Sequence, residues 1–278
     1  MNKLFLTLLI QLLSFSVTAK LVVISDLDDT VRQVNVLELD EASFHILADK
    51  AFDMEIPPFN GLNIIYNDLL DHNEEIEFYY LSASYPIIYD AKLWLELNEF
   101  PEGKVFQRAY SDEFNSGEFK KRKLREIIKN YEDIENVNFL FFGDNGEHDP
   151  EAYQDVVEHF GIHEQSQIYI RDVVTDYTFK YEDSRLPIEG INYFLTEKVL
   201  INSDLLNFLS NDVVSKLKKE SIKDIPSFMV DNLDERIEDN ICDKITWKNH
   251  PLKKIGCYVD SGPKALRDLT KYLKNLDN

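Results

Sequence analysis

Residues 21–30 read LVVISDLDDT, an apolar, largely β-branched run that ends in three carboxylates. The run has the composition of a strand buried on both faces of a sheet, and a charge buried at its end is costly unless something compensates it. Residues two apart leave a strand on the same side, so Asp26 and Asp28 point into one pocket while Leu27 turns away. Such a pair makes physical sense where a divalent metal ion offsets the repulsion between the carboxylates.

Three further apolar runs end in polar or charged residues: Phe78-Tyr79-Tyr80-Leu81-Ser82, Val137 to Gly143, and Gln167-Ile168-Tyr169-Ile170-Arg171. Segments with helical spacing lie between them, at 62–70, 87–97, 120–131 and 150–160. This alternation predicts an α/β fold, a three-layer sandwich around a central, mainly parallel sheet with right-handed crossovers. Lys104 to Tyr110 reads as a shorter strand. Ligands of such sheets bind at the carboxyl ends of the strands, so the polar endings are expected to share one crevice.

The segment 32–58, rich in acidic and aromatic residues, is either a small flap inserted after the first strand or a solvated connection. From about residue 186 the pattern changes. Ser203 to Lys219 reads as an amphipathic helix with Ser203 as its N-cap, and Gly262 to Leu276 as a second with Pro263 near its start. The expected organisation is an α/β domain at 20–185 and a mostly helical C-terminal extension at 186–278, packed on that core.

The first nineteen residues, MNKLFLTLLIQLLSFSVTA, join a Lys-bearing start, an apolar stretch and a small-residue ending, the pattern of a signal peptide cleaved after Ala19. The apolar stretch is shorter than a membrane span needs and carries Gln11. An exported protein, periplasmic or secreted, is the expectation. In that setting Cys242 and Cys257 are read as a disulfide, since no Cys-x-x-Cys spacing is present. The net charge of −21 argues against nucleic acid as a partner. The tail from Lys244 onward is locally basic, which suggests either a solvated helical appendage or peripheral contact with phospholipid headgroups.

Four short stretches carry the chemistry. The first is the Asp26/Asp28 pair. The second is Phe142-Gly143-Asp144-Asn145-Gly146-Glu147-His148-Asp149, where Asp144 and Asp149 flank a glycine-containing turn; read alone, Asp149 could equally be the N-cap of a helix starting at Pro150. The third is Ser82, a hydroxyl at a strand end able to donate to a phosphoryl oxygen. The fourth is Lys120, in a basic helix start that opposes the helix dipole.

In this order the residues resemble the four motifs of the haloacid dehalogenase (HAD) superfamily. The closer resemblance is to its phosphatidate phosphatase branch, the catalytic domain of the actin-patch-associated phosphatase and its bacterial relatives. It rests on Ile24 to Thr30, Pro58 to Gly61, Tyr80 to Ser84, Phe100 to Gly103, Glu118-Phe119-Lys120, Gly143 to Tyr153 and Ile168 to Val173. Where the branch commonly continues with Pro and Trp after the serine motif, this chain has Tyr85-Pro86.

The resemblance implies a HAD-like Rossmannoid fold and a Mg²⁺-dependent hydrolysis of phosphomonoesters through an aspartyl-phosphate. It makes Asp26 the nucleophile and Asp28 the acid and base, with Ser82 and Lys120 on the phosphoryl oxygens. The metal ligands would be Asp26, the backbone carbonyl of Asp28 and Asp144, with Asp149 in the outer shell. Thr30 and Asp29 tie the loop to the next helix rather than touch substrate, Arg171 either reaches the substrate or pairs with a crevice acid, and His148 is read as solvated or turn-stabilising. The substrate is phosphatidate or a related lipid phosphate, or else a soluble phosphomonoester such as a nucleotide, sugar phosphate or phosphoprotein; a non-catalytic binding module is the remaining alternative. The lipid and soluble readings differ in whether an apolar surface borders the crevice, at Phe44, Ile46, Phe52, Tyr85, Ile87 and Ile88.

Overall fold

The computed structural model of the chain describes residues 19–34, 54–59, 61–86, 88–112, 115–173 and 188–219. Residues 1–18 of the expected signal peptide, most of the segment 32–58 read as a flap or a connection, the two cysteines, the basic tail and the helix expected at 262–276 lie outside the described residues.

Six parallel strands form one sheet in the order β3-β2-β1-β4-β5-β6. They are β1 (Lys20–Asp26), β2 (Ile76–Ser82), β3 (Lys104–Gln107), β4 (Val137–Asp144), β5 (Ser166–Arg171) and β6 (Asn192–Phe194). The helices are α1 (Leu62–His72), α2 (Ala91–Leu97), α3 (Ser116–Ile128), α4 (Asp149–Phe160), α5 (Glu197–Leu200) and α6 (Asn211–Leu217). The β-branched run of β1 sits at the centre because it has no polar face to show to water. Leu21 and Val23 pack in one core layer, Val22 and Ile24 in the other, as the strand pleat requires.

The first layer is closed by Leu62, Ile65, Tyr66 and Leu69 of α1 and by Trp94 and Leu95 of α2, with Leu200, Leu205, Val213 and Leu217 from the C-terminal segment. The second is closed by Leu124, Ile127 and Ile128 of α3 and by Ala152, Tyr153, Val156 and Val157 of α4. The helices therefore change face between α2 and α3. The strand order correspondingly reverses at β1, with β2 and β3 to one side and β4 to β6 to the other. This is the topological switch point at which α/β sheets open a crevice, and β1 and β4 border it.

Two boundaries differ from the sequence expectation. The sheet does not end at β5: β6 lies beyond residue 185 and pairs with β5 through Tyr169↔Asn192, Ile170↔Tyr193 and Arg171↔Phe194. The helix expected over 203–219 is two pieces. Ser203 caps a 3₁₀ turn over Asp204–Phe208, and Ser210 then caps α6 by accepting from the Val213 N–H. The break is held by Asp68 of α1, whose carboxylate accepts from both the backbone N–H and the hydroxyl of Ser210, at 2.7 and 2.6 Å. A tertiary partner thus redirects the chain within an otherwise helical pattern.

Candidate active site

The strand register sets the site. Asp26 pairs with Leu81, one residue before Ser82, and Ser25 pairs with Phe142, so Asp26, Ser82 and Asp144 emerge together at the carboxyl edge. Beyond β1 the chain turns sharply: Val31 and Arg32 N–H groups both donate to the Leu27 carbonyl, and Asp29 takes a left-handed φ of 61°. Aspartate is among the few non-glycine residues that accept this conformation readily. Thr30 Oγ1 lies 3.5 Å from Asp144 Oδ2, which ties this loop to the second acidic loop.

Asp144 and Asp149 are brought together by Gly143. A Cβ there would stand 2.6 Å from the Asp149 Cβ and 2.7 Å from the Tyr153 ring, so only a glycine lets α4 approach this closely. The Asp144 carboxylate accepts from the Gly146 N–H at 2.6 Å, and Asp149 accepts from the Asp144 N–H at 3.2 Å. α4 begins at Asp149 itself, with Pro150 in its first turn and no side-chain cap. Asp149 therefore serves the site rather than capping the helix.

Lys120, in the second turn of α3, is 1% exposed and reaches Asp149 at 2.5 Å, Asp26 at 2.7 Å and Glu147 at 3.3 Å. Burial alone would lower its pKa, but the carboxylates of Asp149, Asp26 and Glu147 overcome this and hold it well above the ordinary value. Burial raises the Asp26 carboxyl well above its usual range; Lys120 opposes the shift and Asp149 and Asp144 reinforce it. Asp144 is raised for the same reason, with Asp149 adding to burial. Asp149 is raised by burial too, with Lys120 opposing.

Carboxylate oxygens of Asp26, Asp144 and Asp149 lie within 4.8 Å of one another. These are hard donors in the spacing a divalent cation takes, and one lysine does not balance three buried carboxylates and Glu147. The donor set and its uncompensated charge fit Mg²⁺.

The Asp28 side chain is held on the opposite flank. Its Oδ1 accepts from Arg32 at 3.0 Å, and its Oδ2 from the hydroxyls of Ser82, Ser84 and Tyr89 at 3.0, 2.9 and 3.2 Å. Burial keeps the Tyr89 phenol well above its ordinary pKa, so it remains a donor. The Arg32 guanidinium, 0% exposed, stacks 3.9 Å from the Tyr89 ring centre. The structure thus brings Asp26, Lys120, Asp144 and Asp149 together, with Ser82 hydrogen-bonded to Asp28 beside them.

Sequence reasoning missed Arg32, Tyr89 and Glu147. A basic residue four after Asp28 was a readable signal for Arg32; Tyr89 carries none, since its contacts come from a loop whose path no local pattern specifies. Arg171, expected either to reach the substrate or to pair with a crevice acid, forms a buried ion pair with Glu197 of α5. It is 1% exposed, bonds Glu197 at 2.6 Å and donates from Nε to the Thr30 carbonyl at 2.9 Å. His148 is exposed at the crevice mouth.

Residues 21–172 match the family described as "Phosphatidate phosphatase APP1, catalytic domain". A curated relative, Phosphatidate phosphatase APP1 of Saccharomyces cerevisiae, is 29% identical over 133 residues, which are 47% of this chain and 22% of the yeast protein. The chain therefore spans about a fifth of that relative's length. Among solved structures, the HAD domain of effector protein Lem4 from Legionella pneumophila aligns with a TM-score of 0.39 and 14% identity, over 60% of this chain and 95% of that one. The match at 21–172 takes in more than half of the chain and every acidic residue assembled above, and on it the chain belongs to the phosphatidate phosphatase APP1 catalytic-domain family.

Proposed function

We propose that this protein is a Mg²⁺-dependent phosphatase that hydrolyses a phosphomonoester through an aspartyl-phosphate on Asp26. The observation that carries the reading is the buried Asp26 carboxylate, 2.7 Å from Lys120 and grouped with Asp144 and Asp149 at a topological switch point. Mg²⁺, held by Asp26, Asp144 and the backbone carbonyl of Asp28 with Asp149 in the outer shell, would neutralise charge on the phosphoryl oxygens.

The residues then divide the work. An Asp26 oxygen attacks phosphorus and the bond to the leaving oxygen breaks; Asp28, entering the step with a proton on Oδ2, the oxygen that Arg32 does not pair, gives that proton to the leaving oxygen and releases an alcohol. Asp28, now ionised, takes a proton from water, which attacks phosphorus, returns Asp26 as carboxylate and releases inorganic phosphate. Lys120 donates to the equatorial oxygens, and the Ser82 hydroxyl, which donates to Asp28 Oδ2 in the substrate-free site, turns to them when the phosphoryl group binds. The hydroxyls of Ser84 and Tyr89 and the Arg32 guanidinium orient Asp28.

The name of the yeast relative supports phosphatidate or a related lipid phosphate as the substrate. One observation favours a soluble phosphomonoester instead. Of the rim residues described, Ile88 packs against the core, while Tyr85 stacks on the 74% exposed Tyr110 at 4.6 Å and carries the Arg108 guanidinium 4.6 Å from its ring centre. Among the described residues, the part of the rim around Tyr85 is aromatic and cationic. The N-terminal pattern supports export. No helix among the described residues is long and apolar enough to cross a membrane.

The test is phosphate release by the wild-type chain and Asp26→Asn, with Mg²⁺ or EDTA, from phosphatidate in detergent micelles, an aryl phosphate and a nucleotide panel. Mg²⁺-dependent release lost on substitution is the expected result. Release that survives in Asp26→Asn would refute the aspartyl-phosphate route, and equal rates with EDTA would refute the metal.

A further inference from the structure

The family match ends at residue 172, yet the end of β5 and the two residues after it, which touch both acidic loops, are themselves held by β6 and α5. Arg171 donates to the Thr30 carbonyl, on the loop that carries Asp26 and Asp28. Its own carbonyl accepts from the Asn145 N–H at 3.1 Å, on the loop that carries Asp144. Asn145 is further fixed by its side chain, which donates to Asp172 and accepts from the Val173 N–H at 2.8 Å. The stretch 171–173 is therefore one clamp on two loops. It is closed from outside by the Asp172 N–H to the Phe194 carbonyl of β6, at 2.8 Å, and by Glu197, whose side chain is 4% exposed.

We propose that Glu197 is a positioning residue for the active site: it orients the Arg171 guanidinium so that the clamp holds the Asp26 and Asp144 loops in register. A buried ion pair is a weak means of adding stability, because desolvation of both charges offsets their attraction. What it supplies is direction. The planar guanidinium can bond a carboxylate with one edge while Nε meets a carbonyl, a geometry no ammonium reproduces. Arg171 uses both edges here, and its faces lie 3.9 Å from the Phe59 ring and 4.8 Å from the Phe194 ring. Its orientation is thus fixed by bonds at two edges and by rings beside it, with Glu197 as its ionic partner among the described residues. The catalytic unit accordingly extends past the matched family domain to include at least β6 and α5.

The inference rests on the phosphatase reading for one of its two readouts. In the full chain, kcat and KM for the best soluble substrate and the Mg²⁺ dissociation constant by titration calorimetry would be measured for Glu197→Ala and Arg171→Lys. Measurement in the cold, with circular dichroism showing the variants folded, removes any effect of lowered stability. Glu197→Ala is expected to lower kcat about ten- to hundredfold, the loss typical of a small misplacement of reacting groups, with KM changed less than about threefold. The Mg²⁺ dissociation constant is expected to weaken roughly five- to tenfold, as when the partners that orient metal ligands are removed. Arg171→Lys keeps the cation beside Glu197 and loses the fork that reaches Thr30. It is expected to behave in the same way and decides the matter if Glu197→Ala does not fold. Values within about twofold of wild type in a folded variant would overturn the proposal and leave the pair a stabiliser only. If the wild type releases no phosphate, the phosphatase reading falls, and the Mg²⁺ titration still decides this one.

Discussion

Adding Mg²⁺ should raise the melting temperature of this protein, and the rise should grow with pH. In the metal-free site, burial holds the Asp26 and Asp144 carboxyls above the ordinary value of 3.8. The folded state then keeps protons that the unfolded chain gives up. The corresponding stability is complete below the unfolded carboxylate range and drains away as pH rises through it toward the raised folded values. Mg²⁺ needs the ionised carboxylates and releases those protons on binding. At a free concentration about a hundred times its dissociation constant it adds about 2.7 kcal/mol. For a folded unit of roughly 200 residues that is a rise of about 5 to 11 °C. Thermal melts in EDTA and in Mg²⁺ at about pH 5 and about pH 8 would show it, with the larger difference at the higher pH. Asp144→Asn keeps an oxygen to accept from the Gly146 N–H but removes one buried charge. Its metal-free form should melt at or above the wild-type metal-free form, while at least half of the Mg²⁺ effect disappears. A Mg²⁺ shift equal in both proteins, or one that does not change with pH, would refute the assignment of these carboxylates to a metal.

Three further outcomes follow from contacts described above or beside them. Lys120→Met removes the cation from among Asp26, Glu147 and Asp149, and should lower kcat by about 10²–10³, read in phosphate release under saturating Mg²⁺. Gly143→Ala places a methyl 2.6 Å from the Asp149 Cβ and should cost about 1–3 kcal/mol by urea melting and displace Asp149, with activity lost out of proportion to stability. At the far end of the sheet, hydrogen bonds from Lys20, Tyr79 and Tyr131 outweigh partial burial and hold the Glu77 carboxyl down at about 2. Its stabilising effect is present above the ordinary value of 4.5 and lost as pH falls toward 2, so Glu77→Gln should flatten the acid limb of stability against pH and leave phosphate release unchanged.

The parts of the fold readable in the sequence were those written in long uniform stretches. β1, β2, β4 and β5 are continuous apolar runs because both faces are covered by helices, and each run announces its catalytic or structural ending by a change to polar residues. β6 is three residues long, Asn192-Tyr193-Phe194, too short to show a period. The break at Leu209 and Ser210 was hidden because its cause, Asp68, lies on α1 far away in the chain. At the site the acids, the serine and the lysine were legible from residue type and order. The residues that aim them were not: Arg32 and Tyr89 act through Asp28, and Glu197 acts through Arg171, so their meaning depends on contacts that only the folded chain makes.

The placement of β1 has a consequence for how the chain is made. Among the described strands β1 is the first to be synthesised, yet it lies inside the sheet with a neighbour on each edge. Its partners are β2, beginning at Ile76, and β4, ending at Asp144. At ordinary elongation rates of about 5–20 residues per second, the apolar run LVVIS waits roughly 6 to 24 s before its second edge can be covered. Pairings this distant along the chain close slowly. Through that interval the apolar run that leads to Asp26 has an uncovered edge, the kind of segment on which chains of this size aggregate while they fold.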